Sequence, residues 1–380
     1  MSTRSEELDQ LLGLIAEHVD AGHCRQVDER FRRVLAWDTV DRPPLVVQAA
    51  FGATFTAPAP WNRFRVYPYR EAFHDPAAMM QNQLLDRVVP GLLLADDNPL
   101  AIRSDHGAIQ IASLLGADWT LLEDNYPWVE PLGGRDRVEA VVAGPAPAPS
   151  EQRVLLRSLA TMRFYREKLA AFPPCAETIQ ISMPDLQGPM DTAEQLWGSE
   201  IFYAFNDTPA LVERLLARVA DVMLEVIPRF RCLACDRLDP GANTQHGYVI
   251  PGRLMIRDDS SIMVSPDMYA EQIRPHNARL LAALGSGSIH SCGCWDHLVE
   301  PMLAISGLRG LDLGNPELMD IRALYAACRD RRVALTNVIP SRADLCDGTA
   351  RRTYPTGVVF VYCTEDSDDA REVVRAYAES

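Results

Sequence analysis

The chain has 380 residues, 47% hydrophobic and 23% charged, the proportions of an ordinary globular protein with a sizeable core. Its formal net charge of −15 argues against a nucleic-acid partner, because phosphate binding needs concentrated Lys and Arg. No apolar run approaches membrane-spanning length, so no membrane span is expected.

Met1 to Asp20 is acidic and amphipathic and lacks the basic start and apolar block of an export signal, which predicts a cytoplasmic location. The nine cysteines form no disulfide-like framework and are expected to be reduced.

In chain order, residues 6 to 36 read as one or two amphipathic helices, with Leu8, Leu11, Leu12, Ile15, Phe31 and Val34 at helical spacing. Asp41-Arg42-Pro43-Pro44 breaks the helix, and Leu45-Val46-Val47 opens a strand running to Gln48. Further strands are expected at Val89 to Ala95, Thr178 to Met183 and Arg253 to Arg257, with long, irregular spacing. Pro145 to Pro149 reads as a short linker within one domain.

The second half is more regular. Strands are expected at Ser288 to Cys292, Gly310 to Leu313, Val333 to Val338 and Val358 to Cys363, with starts 22, 23 and 25 residues apart. Helical stretches lie between them, at Asp296 to Ile305, Asp320 to Asp330 and around Ala343. A last helix, Asp368 to Tyr377, has its N-cap region at Ser367-Asp368-Asp369. Alternating strands and helices predict an α/β fold, a (β/α)8 TIM barrel over residues 41–380 with an N-terminal helical extension over 1–40.

Active sites of such barrels lie at the C-terminal ends of the strands. In Ile289-His290-Ser291-Cys292-Gly293, alternation along a strand turns His290 and Cys292 to one side, and Cys363 closes the last strand 71 residues later. One imidazole and two thiolates are a normal zinc donor set, and three protein donors leave a fourth position for substrate. The rival reading is a core histidine beside a buried cysteine. Cys294 or His297 could replace a donor, although His297 is expected on the following helix. Cys232 and Cys235 form a CxxC without a second pair and read as core or surface cysteines.

Other proposed strand ends carry Asp96 and Asp97, Asp185 and Gln187, Asp258 and Asp259, Asp312 and Asn315, and Asn337. Helix capping accounts for many such residues. His246 and Tyr248 precede the fourth strand, either lining the substrate pocket and moving protons or standing there as incidental loop residues. Arg65, Arg70 and Arg103 are anion contacts or solvated surface.

The Asp41-Arg42-Pro43 entry, the Asp185-Leu186-Gln187-Gly188-Pro189 turn, Arg257-Asp258-Asp259 before Ser265-Pro266, and His290-Ser291-Cys292-Gly293 occur in a telling order. From about Arg30 to the C-terminus the chain resembles the uroporphyrinogen decarboxylase superfamily, which includes corrinoid-dependent methyltransferases acting on coenzyme M. The decarboxylase branch is metal-free and carries an Arg-rich N-terminal motif that Val46 to Gly52 lacks. The methyltransferase branch binds zinc through a His-x-Cys pair and a distant Cys, positions that His290, Cys292 and Cys363 match. In the similar cobalamin-independent methionine synthase an acidic ligand follows one strand after the pair, near Asp312.

The resemblance therefore implies zinc-dependent transfer of a methyl group to a thiol. The donor would be a small molecule or a methylcorrinoid carried by a substrate or partner protein. The fourth zinc position falls to Asp312, Cys294 or substrate. The family places an acidic residue at the end of the fourth strand, which implies a role for Asp258 and Asp259 at the reacting centre; by position His246 and Tyr248 are catalytic candidates, and Asp185, Gln187 and Asn337 cofactor-binding ones. A thiol has a pKa of about 8.5 and is a poor nucleophile until a metal removes its proton, which two thiolate donors allow without drawing off too much electron density.

Two alternatives stand beside this. One is a cofactor-free decarboxylase of a small or tetrapyrrole carboxylate, with Asp258 or Asp259 stabilising a protonated intermediate and His246 or Tyr248 giving the proton. The other is a ligand-binding barrel that serves as a partner subunit. The resemblance also implies a homodimer.

Overall fold

The structure, a computed structural model, describes residues 4–49, 58–123, 125–145, 153–234 and 241–380. Most of the expected linker, the end of the Val46 to Gly52 stretch and Cys235 lie outside the described residues.

Eight parallel strands, numbered here in chain order, carry the fold. They are β1 (Leu45–Ala49), β2 (Ala101–Arg103), β3 (Gln180–Ser182), β4 (Met255–Arg257), β5 (Gly287–Ser291), β6 (Leu308–Leu313), β7 (Ala334–Val338) and β8 (Val358–Thr364). Six form one sheet in the order β1-β8-β7-β6-β5-β4, and β2 with β3 forms a second, two-stranded one. Both seams between the sheets are bonded. From β3 the chain continues to Gln187, which bridges Arg257 of β4, and the Gly188 N–H donates to the Arg257 carbonyl at 3.0 Å.

At the other seam side chains take over the ladder. The Leu45 N–H donates to Asp97 Oδ2 at 2.9 Å, the Val47 N–H to Asp96 Oδ2 at 2.6 Å, and the Asp97 N–H to the Leu45 carbonyl at 3.0 Å. Arg30 and Arg42 pair with the Asp97 carboxylate, so the Asp-Arg-Pro entry is a structural clamp.

This seam corrects the sequence reading. Val89–Leu94 is a helix with Pro90 in its first turn and Ala95 left-handed at its C-cap, and the second strand is Ala101–Arg103. A short apolar run that is largely buried shows no sidedness, so its helix and strand readings look alike. Asp96 and Asp97 accordingly lie before the second strand and brace β1, away from the mouth. The last helix, Ser367–Glu379, is capped one residue earlier than expected, by Asp366, whose side chain accepts from the Asp368 and Asp369 N–H groups.

The N-terminal helices Arg4–His18 and Ala21–Leu35 turn Leu8, Leu11, Leu12 and Ile15, then Val27 and Phe31, into the protein. Val27 and Phe31 pack with Val46, Val359 and Val361 of β1 and β8 and with Tyr248 and Ile250. The last two belong to a hairpin, Ala242–Gln245 with Tyr248–Pro251, whose two turn residues His246 and Gly247 have φ of 52° and 87°. Positive φ at both positions is the turn geometry that matches strand twist, and Gly supplies one of them without strain. No helix among the described residues is long and apolar enough to cross a membrane.

Candidate metal centre

Parallel register sets the level of the site. Arg257 pairs with His290, His290 with Asp312, and Asp312 with Thr336, so β4 to β7 present one aligned layer of side chains. His290 Nδ1 lies 2.6 Å from Asp312 Oδ2; a carboxylate only accepts, so Nδ1 is the donor and Nε2 is left to face outward. Asp312, fully buried, also accepts from Tyr248 Oη at 2.9 Å and from Thr336 Oγ1 at 2.5 Å. Burial alone would lower the His290 pKa and raise that of Asp312. Their contact outweighs it in both cases, holding the imidazole well above and the carboxyl well below their ordinary values.

Nε2 of His290 looks onto two further donors. Cys292 Sγ lies 3.5 Å away and Asp259 Oδ1 also 3.5 Å away, and all three atoms lie within 4.8 Å of one another. Cys292 follows the last residue of β5, and its N–H donates to Asp259 Oδ1 at 2.7 Å. Room for it comes from Gly314, where a Cβ would stand 2.6 Å from the Cys292 sulfur. Asp259 opens the short helical turn after β4, and Asp191 Oδ2 and Oδ1 accept the N–H groups of Asp259 and Ser260 at 3.0 and 2.8 Å.

A tetrahedral zinc with bonds of about 2.0 Å to N and O and about 2.3 Å to S places N and S about 3.5 Å apart, and N and O about 3.3 Å. The observed spacings fit that ion. A second cluster, His246, His290 and Asp312, is explained by hydrogen bonding, since the His290–Asp312 contact is direct.

The other residues singled out in the sequence scatter. Cys363 is the next-to-last residue of β8, on the same face as Val359 and Val361, but its sulfur joins neither cluster. It pairs in register with Gln48 of β1, two strands beyond β6, and lines a cavity of about 500 Å³ with Gln48, Arg87 and His246. Of the three donors expected from the sequence, His290 and Cys292 meet and Cys363 does not, with β6 and β7 standing between β5 and β8.

Asp258 points away: it is fully buried and accepts from Ser261 Oγ, Tyr269 Oη at 3.0 Å and Asn277 Nδ2 at 2.8 Å. Burial, then the nearby Asp191, push its carboxyl up to about 7 despite those bonds. Tyr248, 1% exposed, spends its hydroxyl on Asp312. His246 stacks on His290 with ring centres 5.3 Å apart, and its Nε2 accepts from Arg257 Nη2 at 2.7 Å. An arginine always donates, so His246 is neutral; burial first, then Arg257, takes its pKa down to about 3 against the pull of Asp312.

Asp185 sits between Arg257 and Arg103, which overcome burial and hold its carboxyl down to about 2. Asn337, at φ 61°, braces β6 to β7 by donating to the Leu313 carbonyl at 2.5 Å. Cys294 is exposed with its sulfur 3.7 Å from Asp296, and His297 turns to the Val264 carbonyl at 3.2 Å.

Arg257 and Arg103, to which the sequence gives no central role, flank Asp185 beside the site. Arg257 ends β4, and its level with His290 was the available signal. A cavity of about 510 Å³ opens beside Arg103, lined by Arg103, Tyr126, Trp128, Asp185, Gln187 and Asp259. Gln187 Oε1 is buried there without a hydrogen-bond partner among the described residues.

No family model matches the sequence, and no curated protein matches it. Among solved structures, a methyltransferase from Methanosarcina mazei superposes with a TM-score of 0.67 at 16% sequence identity, covering 93% of this chain and 98% of that one. The two chains share a fold. The likeness is one of fold, and it runs along nearly the whole chain.

Proposed function

We propose that this protein is a zinc-dependent methyltransferase that moves a methyl group from a methylcorrinoid or a small donor to a thiol. The reading takes the eight strands as a closed barrel over residues 41–380, with residues 1–40 as a helical extension. The observation that carries it is the meeting of His290 Nε2, Cys292 Sγ and Asp259 Oδ1 at zinc-like spacings, with Asp312 fixing the histidine from behind.

A bound zinc would supply the acidity that turns a neutral thiol into a nucleophile at physiological pH. The chain's own residues do the rest. Asp312 sets the tautomer of His290, and Gly314 leaves space for the Cys292 sulfur. Arg103 and Asp185 line the cavity, and Arg257 holds Asp185 from its other side. Cys363, the third donor expected from the sequence, reaches the centre only if the end of β8 moves.

The decarboxylase alternative finds less support. It needs Asp258 or Asp259 free for a protonated intermediate and His246 or Tyr248 as proton donor. Asp259 faces the cavity, but Asp258 is enclosed, Tyr248 is committed to Asp312, and His246 offers Arg257 a lone pair, so the proton donor is missing.

A protein that carries the methyl group would dock at the mouth. Exposed apolar side chains occur on several segments that follow strands: Leu122 and Trp128 after β2, Met263 after β4, Leu318 after β6 and Ile339 after β7. Such a rim suits a partner surface. The deciding experiment is metal analysis of freshly purified protein with a methyl-transfer assay from methylcobalamin to small thiols. About one zinc per chain and thioether product support the reading; metal-free protein with no product overturns it.

A further inference from the structure

We infer that Asp259, and not Cys363, is the third protein donor to the metal, so that the centre is built from one nitrogen, one sulfur and one oxygen. The inference rests on the metal-dependent reading above and deepens it.

The spacings are the first argument. His290 Nε2 is equidistant from Cys292 Sγ and Asp259 Oδ1, at 3.5 Å each, and both values match edges of a tetrahedron about one zinc ion. Cys363 Sγ does not lie within 4.8 Å of both other donors.

Preorganisation is the second. Two backbone N–H groups tie the Asp259 turn to Asp191, at 3.0 and 2.8 Å, and Asp259 Oδ1 itself receives the Cys292 N–H at 2.7 Å. The carboxylate and the thiol are therefore fixed to each other before any ion arrives, whereas Cys363 is exposed on another strand. A site whose donors already hold their positions binds at less cost in conformational entropy.

Third is the chemistry of the set. A neutral imidazole, a thiolate and a carboxylate balance the ion's two positive charges as well as two thiolates do. Carboxylate oxygen gives the metal less electron density than thiolate sulfur, so an arriving thiol loses its proton more readily. Asp259 also lines the cavity beside Arg103, which puts that cavity, rather than the one beside Cys363, next to the reacting position.

The test counts sulfurs. X-ray absorption at the zinc edge of the full-length, zinc-loaded protein is expected to show one sulfur scatterer at about 2.3 Å, with nitrogen and oxygen at about 2.0 Å. Two sulfurs from the protein alone would overturn the assignment.

Variants give a second readout by chelator competition. Asp259→Asn keeps an oxygen for the Cys292 N–H yet is a poor donor, and is expected to weaken zinc binding by about 10-fold or more. Cys363→Ser is expected to leave affinity within about 3-fold. The reverse pattern overturns the inference while sparing the metal-dependent reading. Protein that binds no stoichiometric zinc at all overturns both.

Discussion

His290 and Asp312 face each other across the β5–β6 pair with Nδ1 and Oδ2 2.6 Å apart, and this bond decides which ring nitrogen is free for chemistry. Strand register, not local sequence, creates the pair, since the two residues stand 22 positions apart. Asp312→Ala is expected to let the ring rotate and leave Tyr248 and Thr336 without their shared acceptor. Zinc affinity should fall by about 10–100-fold, read by chelator competition. Unchanged affinity would show that Asp312 does not position the ligand.

Asp185 separates two buried guanidiniums, from Arg257 and Arg103. Asp185→Asn removes the charge that both were paired with and leaves like charges close together in a poorly solvated place. Denaturant unfolding should show a loss of about 3 kcal/mol, and pairing the change with Arg257→Met should recover part of it. A variant as stable as the parent would mean that solvent already screens the cluster.

His246 is held neutral, with its pKa down at about 3 against an ordinary value of 6.5. Below the unfolded value the denatured chain binds a proton that the folded protein refuses. This contribution is therefore complete above about pH 6.5 and is lost as pH falls toward 3. His246→Asn keeps a residue that tolerates the positive φ of the turn and cannot titrate. Thermal melts of this variant between pH 7 and 4 should show a shallower acid decline than the parent; parallel declines would remove His246 from the account. Asp258 works in the opposite sense in the parent and the variant alike. Its raised pKa stabilises most below about pH 4 and loses that contribution as pH rises through about 7, so it cancels from the comparison.

Gly188 closes the seam between β3 and β4. A Cβ there would stand 2.3 Å from the Arg257 carbonyl oxygen, and that backbone has no side-chain freedom with which to yield. Gly188→Ala should cost about 3 kcal/mol of stability and displace Arg257 from the layer that holds His290. Retained stability would mean that the seam opens without consequence for the fold.

The apolar rim gives a kinetic prediction. Met263→Glu with Leu318→Glu, both exposed and outside the metal centre, should slow methyl transfer from a protein-borne corrinoid by about 10-fold through KM. Transfer from free methylcobalamin should be unaffected. Equal slowing with both donors would place the fault in the site itself.

Much of this was legible along the chain. The βα rhythm of the second half gave four strands in place, because short apolar runs and the helix caps between them are written within a few residues of one another. Reading His290 and Cys292 as neighbours needed only the two-residue period of a strand. The second strand failed for the same local reason: Val89–Leu94 is apolar enough to be buried in either conformation. Strand-end acids were found, but not sorted. Asp258 and Asp259 are adjacent in sequence, yet one is sealed against Tyr269 and Asn277 while the other faces His290.

By itself, then, the sequence determined the alternation of elements and put an imidazole and a thiol together at one strand end, since both depend on neighbours in the chain. Tertiary structure alone decided which acid joins them, which histidine nitrogen is free, and that Cys363 stands apart. Those outcomes depend on the register between strands and on the path of each loop, which bring together side chains separated by tens to hundreds of residues and leave no periodic trace in the sequence.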